Sequence, residues 1–268
     1  MSKISTIILD WAGTTVDYGC FAPVNAFITA FEAFRITPTM EETRAPMGLQ
    51  KRAHIQQMLA GERLGRLWLK QHGHAPAQED INQIYKRFEP ALFEVLAKHA
   101  EPLPGALEAV QQMRDMGIKI GSTTGYTQAM MDVVVPLAKS KGYAPDSLVC
   151  PDETGGIGRP SPYMLWRNLE KLGVASIQEV LKAGDTAADM QEGKNAGCIC
   201  VGIIKGSSML GLTQEELTHK SSNEAAELFA AAKRSYKEAG ADYVIEEIAE
   251  LPKLIALLNQ GKGAEQYV

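Results

Sequence analysis

The sequence predicts an α/β fold, a parallel sheet core interrupted by one α-helical insert. Three observations carry this. Short β-rich runs alternate with helical patterns, the signature of βαβ units. Several of those runs are apolar without alternation, as strands covered by helices on both faces are. One long stretch has helical periodicity and no convincing strand. A length of 268 residues accommodates a core domain carrying a smaller insert. The expected organisation is a Rossmann-like core over residues 1–20 and 100–268, with an α-helical cap over residues 21–99.

Strands are expected at Ile4–Leu9, Ile118–Thr123, Leu148–Cys150, Val180–Ala183, Ile199–Ile204 and Tyr243–Ile245. Between Gly105 and Met116, Leu107, Val110 and Met113 fall on one helical face, and Gly117 stops the helix. Thr127–Lys141, Pro162–Leu172 and Ala187–Ala196 follow the same logic, the last two closed by Gly173 and Gly197. In the insert, Ala26, Phe27, Ala30, Phe31 and Phe34 form one apolar stripe. Ile55, Met58 and Leu59 form a second, and Ile81, Ile84, Tyr85 and Phe88 a third. The segment Glu101-Pro102-Leu103-Pro104-Gly105 is the expected return hinge.

Composition narrows the function classes. Lys and Arg number 27 against 32 Asp and Glu, a net charge of −5, which argues against a general nucleic-acid or anionic-membrane binder. No apolar run approaches the about 18 residues of a membrane span. The N-terminal apolar stretch reaches Asp10 too soon for a signal peptide, so a cytoplasmic setting is expected. Cys20, Cys150, Cys198 and Cys200 form neither a CxxC nor a disulfide framework.

In an open parallel sheet, ligands bind beyond the carboxyl ends of the strands. Asp10-Trp11-Ala12-Gly13-Thr14-Thr15 follows the first strand, and Ser122-Thr123-Thr124-Gly125-Tyr126 closes the second. Gly158-Arg159 precedes a proline, and Gly184-Asp185-Thr186-Ala187-Ala188-Asp189 follows the fourth strand. Three acids, Asp10, Asp185 and Asp189, cannot share a small site as bare anions. A divalent cation resolves the conflict, and oxygen ligands without His or Cys select a hard ion, Mg²⁺. Thr14, Thr124 and Arg159 then offer hydrogen bonds to a tetrahedral anion. An Asp between a metal and an oxyanion site can attack phosphorus. Taken singly, Asp10 or Asp185 is equally well a turn or N-cap residue; the combination at successive strand ends is what points to chemistry.

The segments IILDWAGTTVD, IGSTTGY, GRPSP and GDTAADMQEG resemble the four motifs of the haloacid dehalogenase-like phosphotransferases. That resemblance implies Asp10 as nucleophile, Mg²⁺ held by Asp10, the Ala12 carbonyl and Asp185, and a supporting role for Asp189. One departure is informative. Phosphomonoesterases of the superfamily carry a second Asp two residues after the nucleophile, the acid that protonates the leaving alkoxide. Ala12 cannot transfer a proton, so either the protein is impaired or its leaving group is not an alkoxide.

The insert suggests which. Met47-Gly48-Leu49-Gln50-Lys51-Arg52-Ala53-His54 is expected to begin a helix with Met47, Lys51 and His54 on one face. A Lys in a first helical turn, beside Arg52 and the positive dipole end, is pushed toward its neutral amine, which forms imines with aldehydes. Most lysines are solvated surface residues, and spacing alone does not exclude that for Lys51. Yet a C–P bond breaks if an iminium on the adjacent carbon accepts the electrons, and the enamine leaving group then needs no acid at position 12. LDWAGTTVD, MGLQKRAH, STTGYT and GRPSPYM together resemble the phosphonoacetaldehyde hydrolase (phosphonatase) family over nearly the full chain. The resemblance implies hydrolysis of phosphonoacetaldehyde to acetaldehyde and phosphate, with Mg²⁺, through a Lys51 Schiff base and an aspartyl-phosphate, in a homodimer. It places Cys20, Met47, Gly48, Gly125 and Tyr126 around the substrate with Ala12, Thr14, Thr124 and Arg159. His54 is the expected proton shuttle. The alternatives are a phosphomonoesterase or phosphomutase of the same superfamily, and a catalytically dead protein that binds a phosphorylated ligand. Phe27, Phe31 and Phe34 could form the dimer interface or the cap core.

Overall fold

A computed structural model describes residues 3–268. Six parallel strands form one sheet in the order β3-β2-β1-β4-β5-β6. They are β1 (Thr6–Leu9), β2 (Lys119–Thr123), β3 (Ser147–Val149), β4 (Val180–Gly184), β5 (Ile199–Ile203) and β6 (Tyr243–Ile245). Every expected strand is present, with ends shifted by two residues at most. The order reverses direction at β1, which pairs with β2 on one side and β4 on the other. At such a switch point the chain connections leave in opposite directions and open a crevice past the carboxyl ends. Leu9 is in register with both Ser122 and Ala183, so Asp10, Thr124 and Asp185 emerge close together.

Both faces of the sheet are covered. Ile7 and Leu9 join the large core built with α6 (Ala106–Asp115) and α12 (Leu251–Asn259), while Ile8 packs with Leu165 and Leu169 of α8 (Tyr163–Leu172). Hence β1 is apolar throughout and fully buried rather than alternating.

Five helices occupy the chain between β1 and α6: α1 (Phe21–Glu32), α2 (Met40–Arg44), α3 (Lys51–Ala60), α4 (Glu62–His72) and α5 (Gln78–Leu96). The first begins where the Asp17 carboxylate accepts from the backbone N–H groups of Phe21 and Ala22, at 3.2 and 3.1 Å. Phe27 and Phe31 are buried between α1 and α5, with Phe27 stacked on Phe88 and Phe34 against Trp68. The aromatic stripe is therefore cap core, which answers the alternative left open by its periodicity. The two linkers run side by side: Leu103 N–H donates to the Thr15 carbonyl at 2.9 Å, and His99 Nδ1 lies 2.7 Å from Asp17. The remaining helices are α7 (Gln128–Ser140), α9 (Ala187–Ala196), α10 (Gln214–Thr218) and α11 (Ser222–Glu238). Among the described residues no helix is long and apolar enough to cross a membrane.

One expectation about the insert fails. Met47 is not on the helix that carries Lys51, because α3 starts at Lys51 itself. Gly48, with φ +85°, turns the chain just before it. A side chain there would be strained, and a Cβ would stand 2.3 Å from Thr186 Oγ1 of the core. The turn thus brings the cap loop onto the sheet's edge, where the Leu49 carbonyl would lie 2.8 Å from a Cβ on Gly125.

Candidate active site

Where the cap loop meets the strand ends, a cavity of about 20 Å³ is lined by Asp10, Ala12, Cys20, Met47, Gly48, Lys51, Thr124, Gly125, Tyr126, Arg159 and Thr186. That volume holds about one water. A substrate of several heavy atoms does not fit a space of that size. Larger hollows lie elsewhere, such as one of about 510 Å³ beside Lys233 and Glu250, away from the carboxyl end of β1.

Asp10 sits at the end of β1, its N–H donating to the Ala183 carbonyl at 3.1 Å. Arg159 Nη2 donates to Asp10 Oδ1 at 2.7 Å, to Thr123 Oγ1 at 2.8 Å and to the Thr123 carbonyl at 2.9 Å. Arg159 Nη1 lies 3.0 Å from Asp189, and its Nε donates to Glu192 at 3.1 Å. Asp189 stands in the first turn of α9, where Thr186 is the N-cap and accepts from Asp189 N–H at 3.1 Å. Thr186 Oγ1 donates to Asp189 Oδ2 at 2.5 Å, and Oδ1 is ion-paired with Arg159 and Lys182. Asp185 is held by neutral donors. It accepts from Thr14 Oγ1 at 3.1 Å and from Ser208 N–H at 2.8 Å.

Electrostatics follow from that geometry. Burial, Asp10 and Asp189 push the Asp185 carboxyl well above its usual range. Burial also raises Asp10. Burial works against the Asp189 anion as well, but Arg159 and Lys182 outweigh it and hold Asp189 low. The carboxylate oxygens of Asp10, Asp185 and Asp189 approach within 4.8 Å of one another, all buried. In the core, Asp10, Asp185, Asp189 and Glu192 face only two buried cations, Arg159 and Lys182. One divalent cation balances that excess, and an all-oxygen donor set suits Mg²⁺. The residues present fit such an ion, with Asp10 and Asp185 the carboxylates free to take it.

The cap side differs. Lys51 is only 4% exposed, its Nζ 4.7 Å from the Tyr126 ring centroid and 5.9 Å from that of Phe27. Burial lowers its ammonium to about 8, more than the neighbouring acids restore. Arg52 takes no part: its guanidinium turns outward over Tyr85 and donates to Asn82 at 2.7 Å. Burial holds Cys20 and Tyr126 protonated.

Two expected site residues are placed elsewhere. His54 is fully buried, stacked on Phe27 with ring centroids 3.9 Å apart, and does not line the cavity. Its Nε2 donates to the Thr43 carbonyl at 2.9 Å, and burial, with the nearby Lys51 charge, keeps the ring neutral. Thr14 does not line the cavity either; its hydroxyl is spent on Asp185. Thr124, by contrast, accepts from Tyr126 N–H at 3.1 Å and keeps its own hydrogen free for an anion. Four residues were not foreseen: Lys182, Glu192, Ser208 and Tyr236. Tyr236 places its hydroxyl 2.9 Å from the Asp185 carbonyl. A lysine inside an otherwise apolar strand was the one signal available.

The family description "haloacid dehalogenase-like hydrolase" matches residues 4–197. A phosphonoacetaldehyde hydrolase of Lysinibacillus sphaericus is 46% identical over 258 residues, which is 96% of each chain. The chain belongs to this family. It is also 47% identical, over 99% of its length, to a bifunctional phosphonoacetaldehyde hydrolase/aminoethylphosphonate transaminase of Clostridioides difficile, of which it spans 42%. Among solved structures, a phosphonoacetaldehyde hydrolase-like protein from Oleispira antarctica superposes with a TM-score of 0.92 at 35% identity, covering 97% of this chain and 94% of that one.

Proposed function

We propose that the protein hydrolyses the C–P bond of phosphonoacetaldehyde, giving acetaldehyde and phosphate. The observation that carries this reading is a buried Lys51 facing Asp10 across one cavity whose Ala12 offers no acid. An ester would leave as an alkoxide and need that acid; an enamine does not.

With cap and core apart, the substrate enters and its aldehyde meets Lys51. The neutral amine adds to the carbonyl, and loss of water with uptake of one proton from solvent leaves an iminium on Nζ. Arg159 and the Thr124 hydroxyl hold the phosphonate oxygens beside Asp10. An Asp10 carboxylate oxygen then attacks phosphorus. The C–P bond breaks, its electron pair moves into the iminium, and an enamine remains on Lys51. Protonation at carbon and addition of water release acetaldehyde and free the amine. A second water cleaves the aspartyl-phosphate and restores Asp10. Mg²⁺, held by Asp10, Asp185 and the Ala12 carbonyl, would supply positive charge against the phosphoryl oxygens. Asp189 supports the site through Arg159 and Lys182 rather than by ligation. The apolar cap half excludes water from the iminium, which strengthens each interaction inside.

Homodimerisation, which rests on the family resemblance, and a cytoplasmic setting, which rests on composition and cysteine usage, belong to the same proposal. The deciding assay compares phosphate release from phosphonoacetaldehyde with release from a panel of phosphate esters. Turnover of the phosphonate alone supports the reading, and preferential ester hydrolysis overturns it.

A further inference from the structure

We propose that Lys182 is a positioning residue that keeps Arg159 available to the phosphoryl group. The inference rests on the function proposed above. Lys182 lies in the middle of β4, fully buried, and is absent from the cavity wall. It cannot touch substrate.

What it touches is the set of acceptors that also hold Arg159. Lys182 Nζ is 2.8 Å from Asp189 Oδ1 and 3.2 Å from Glu192 Oε2, and donates to Thr123 Oγ1 at 2.9 Å. Thr123 Oγ1 in turn donates to Glu192 Oε2 at 2.9 Å. Apart from Asp10, each side chain that Arg159 contacts is therefore shared with Lys182. Two carboxylates, Asp189 and Glu192, are divided between two cations.

Remove the ammonium and the division fails. Asp189 and Glu192 would then compete for one guanidinium in a region of low dielectric, where uncompensated charge is strongly unfavourable. Arg159 would be drawn inward to them and away from Asp10. The phosphoryl half of the site loses its cation, while the aldehyde half, built from cap residues and Tyr126, stays intact. Lys182 thus acts on one chemical half only, which a merely structural lysine would not do.

The test uses Lys182→Met, which keeps an unbranched side chain one atom shorter and removes the charge. Three quantities are read on the Mg²⁺-loaded protein: turnover of phosphonoacetaldehyde, borohydride trapping of the Lys51 imine, and binding of inorganic phosphate by calorimetry. Turnover should fall about 100-fold and phosphate binding about tenfold, with trapping within about threefold of wild type. Adding Glu192→Gln to Lys182→Met should restore about tenfold in turnover, because one competing anion is gone. The proposal is overturned if turnover and phosphate binding survive in Lys182→Met, if trapping falls in step with turnover in a folded protein, or if the double variant is no better than the single. Should Lys182→Met alone fail to fold, the Lys182→Met/Glu192→Gln pair decides: turnover about tenfold below wild type with trapping within about threefold supports the network, and unchanged turnover sinks it. Absence of trapping in the wild type would instead refute the Schiff-base reading, while phosphate binding would still report on Lys182.

Discussion

Two lysines are buried on opposite sides of this site, and the molecule treats them oppositely. Lys182, in the core, loses its water but faces Asp189 and Glu192, whose charges keep it protonated beyond the ordinary lysine range. Lys51, in the cap, loses its water over the rings of Tyr126 and Phe27, with no carboxylate in ion-pair contact, and is lowered to about 8. Burial alone therefore does not make a lysine reactive. Burial without a paired anion does, because desolvation is then offset only by distant charges. The core half of the site is a rigid lattice of matched charge suited to holding a phosphoryl group. The cap half is apolar and suited to keeping one amine neutral.

The largest expected effects separate the two halves. Asp10→Asn should lower turnover at least about 1,000-fold, as loss of a nucleophile does, yet still form the imine at Lys51. Lys51→Arg should lose a comparable amount and lose the imine as well, since guanidinium neither deprotonates nor condenses. Phosphate release together with mass spectrometry of borohydride-reduced protein distinguishes these outcomes. An active Asp10→Asn protein, or a fully active Lys51→Arg protein without an adduct, would dissolve the division of labour.

Metal removal strikes the core half only. Chelation should reduce turnover by at least about 100-fold, because the phosphoryl charge loses a Lewis acid, and Mg²⁺ should restore it. Imine trapping in the chelated protein should persist. Restoration by Zn²⁺ but not by Mg²⁺ would contradict the all-oxygen donor set of Asp10, Asp185 and Ala12.

A smaller effect is expected where the halves meet. Gly48→Ala puts a methyl group 2.3 Å from Thr186 Oγ1 at a backbone φ of +85°. The cost of roughly 1–2 kcal/mol for a side chain in that conformation falls on the closed form, and should appear as about a tenfold loss in kcat/KM with little change in melting temperature. An unchanged kcat/KM would mean that the cap need not seat as closely as it does here.

The fold and the clustering of Asp10, Asp185 and Asp189 were legible in the sequence, whereas the supports of those acids were not. Strand ends are local: an apolar run, then Asp10 or Asp185, can be read along the chain. The partnership of Thr123, Arg159, Lys182 and Glu192 is assembled by sheet order and helix packing across 69 residues between Thr123 and Glu192, with only a lysine in an apolar strand to hint at it. Helical spacing also misled. It placed Met47 and Lys51 on one helix, although Gly48 ends any such continuity, and it took His54 for a substrate-facing group when that face packs on Phe27. Sequence reasoning credited Arg52 with lowering Lys51; the side chain points outward, and burial does the work instead.

The smallest effect, and the most direct comparison of the two lysines, is on pH. If Lys51 must be neutral to add to the aldehyde, the rate of imine formation follows the fraction of free amine. With the ammonium at about 8, that rate should rise about tenfold per unit at lower pH and flatten above about 8. The sign is set by the chemistry: the group is active when deprotonated, so activity is lost toward acid. Borohydride trapping in the first turnover under subsaturating aldehyde reports this step, with Asp10 kept in place because its charge helps set the Lys51 value. Lys182 should contribute no inflection in that range, since its paired anions hold it charged. Placing an acid beside Lys51, by Met47→Glu, adds to the cap the kind of partner that Lys182 has in the core. The trapping inflection should then move to higher pH, with the rate at neutrality reduced severalfold, as an opposite charge within ion-pair reach favours the ammonium. An inflection that stayed at about 8 in this variant would show that the absence of a paired carboxylate is not what makes Lys51 the reactive member of the pair.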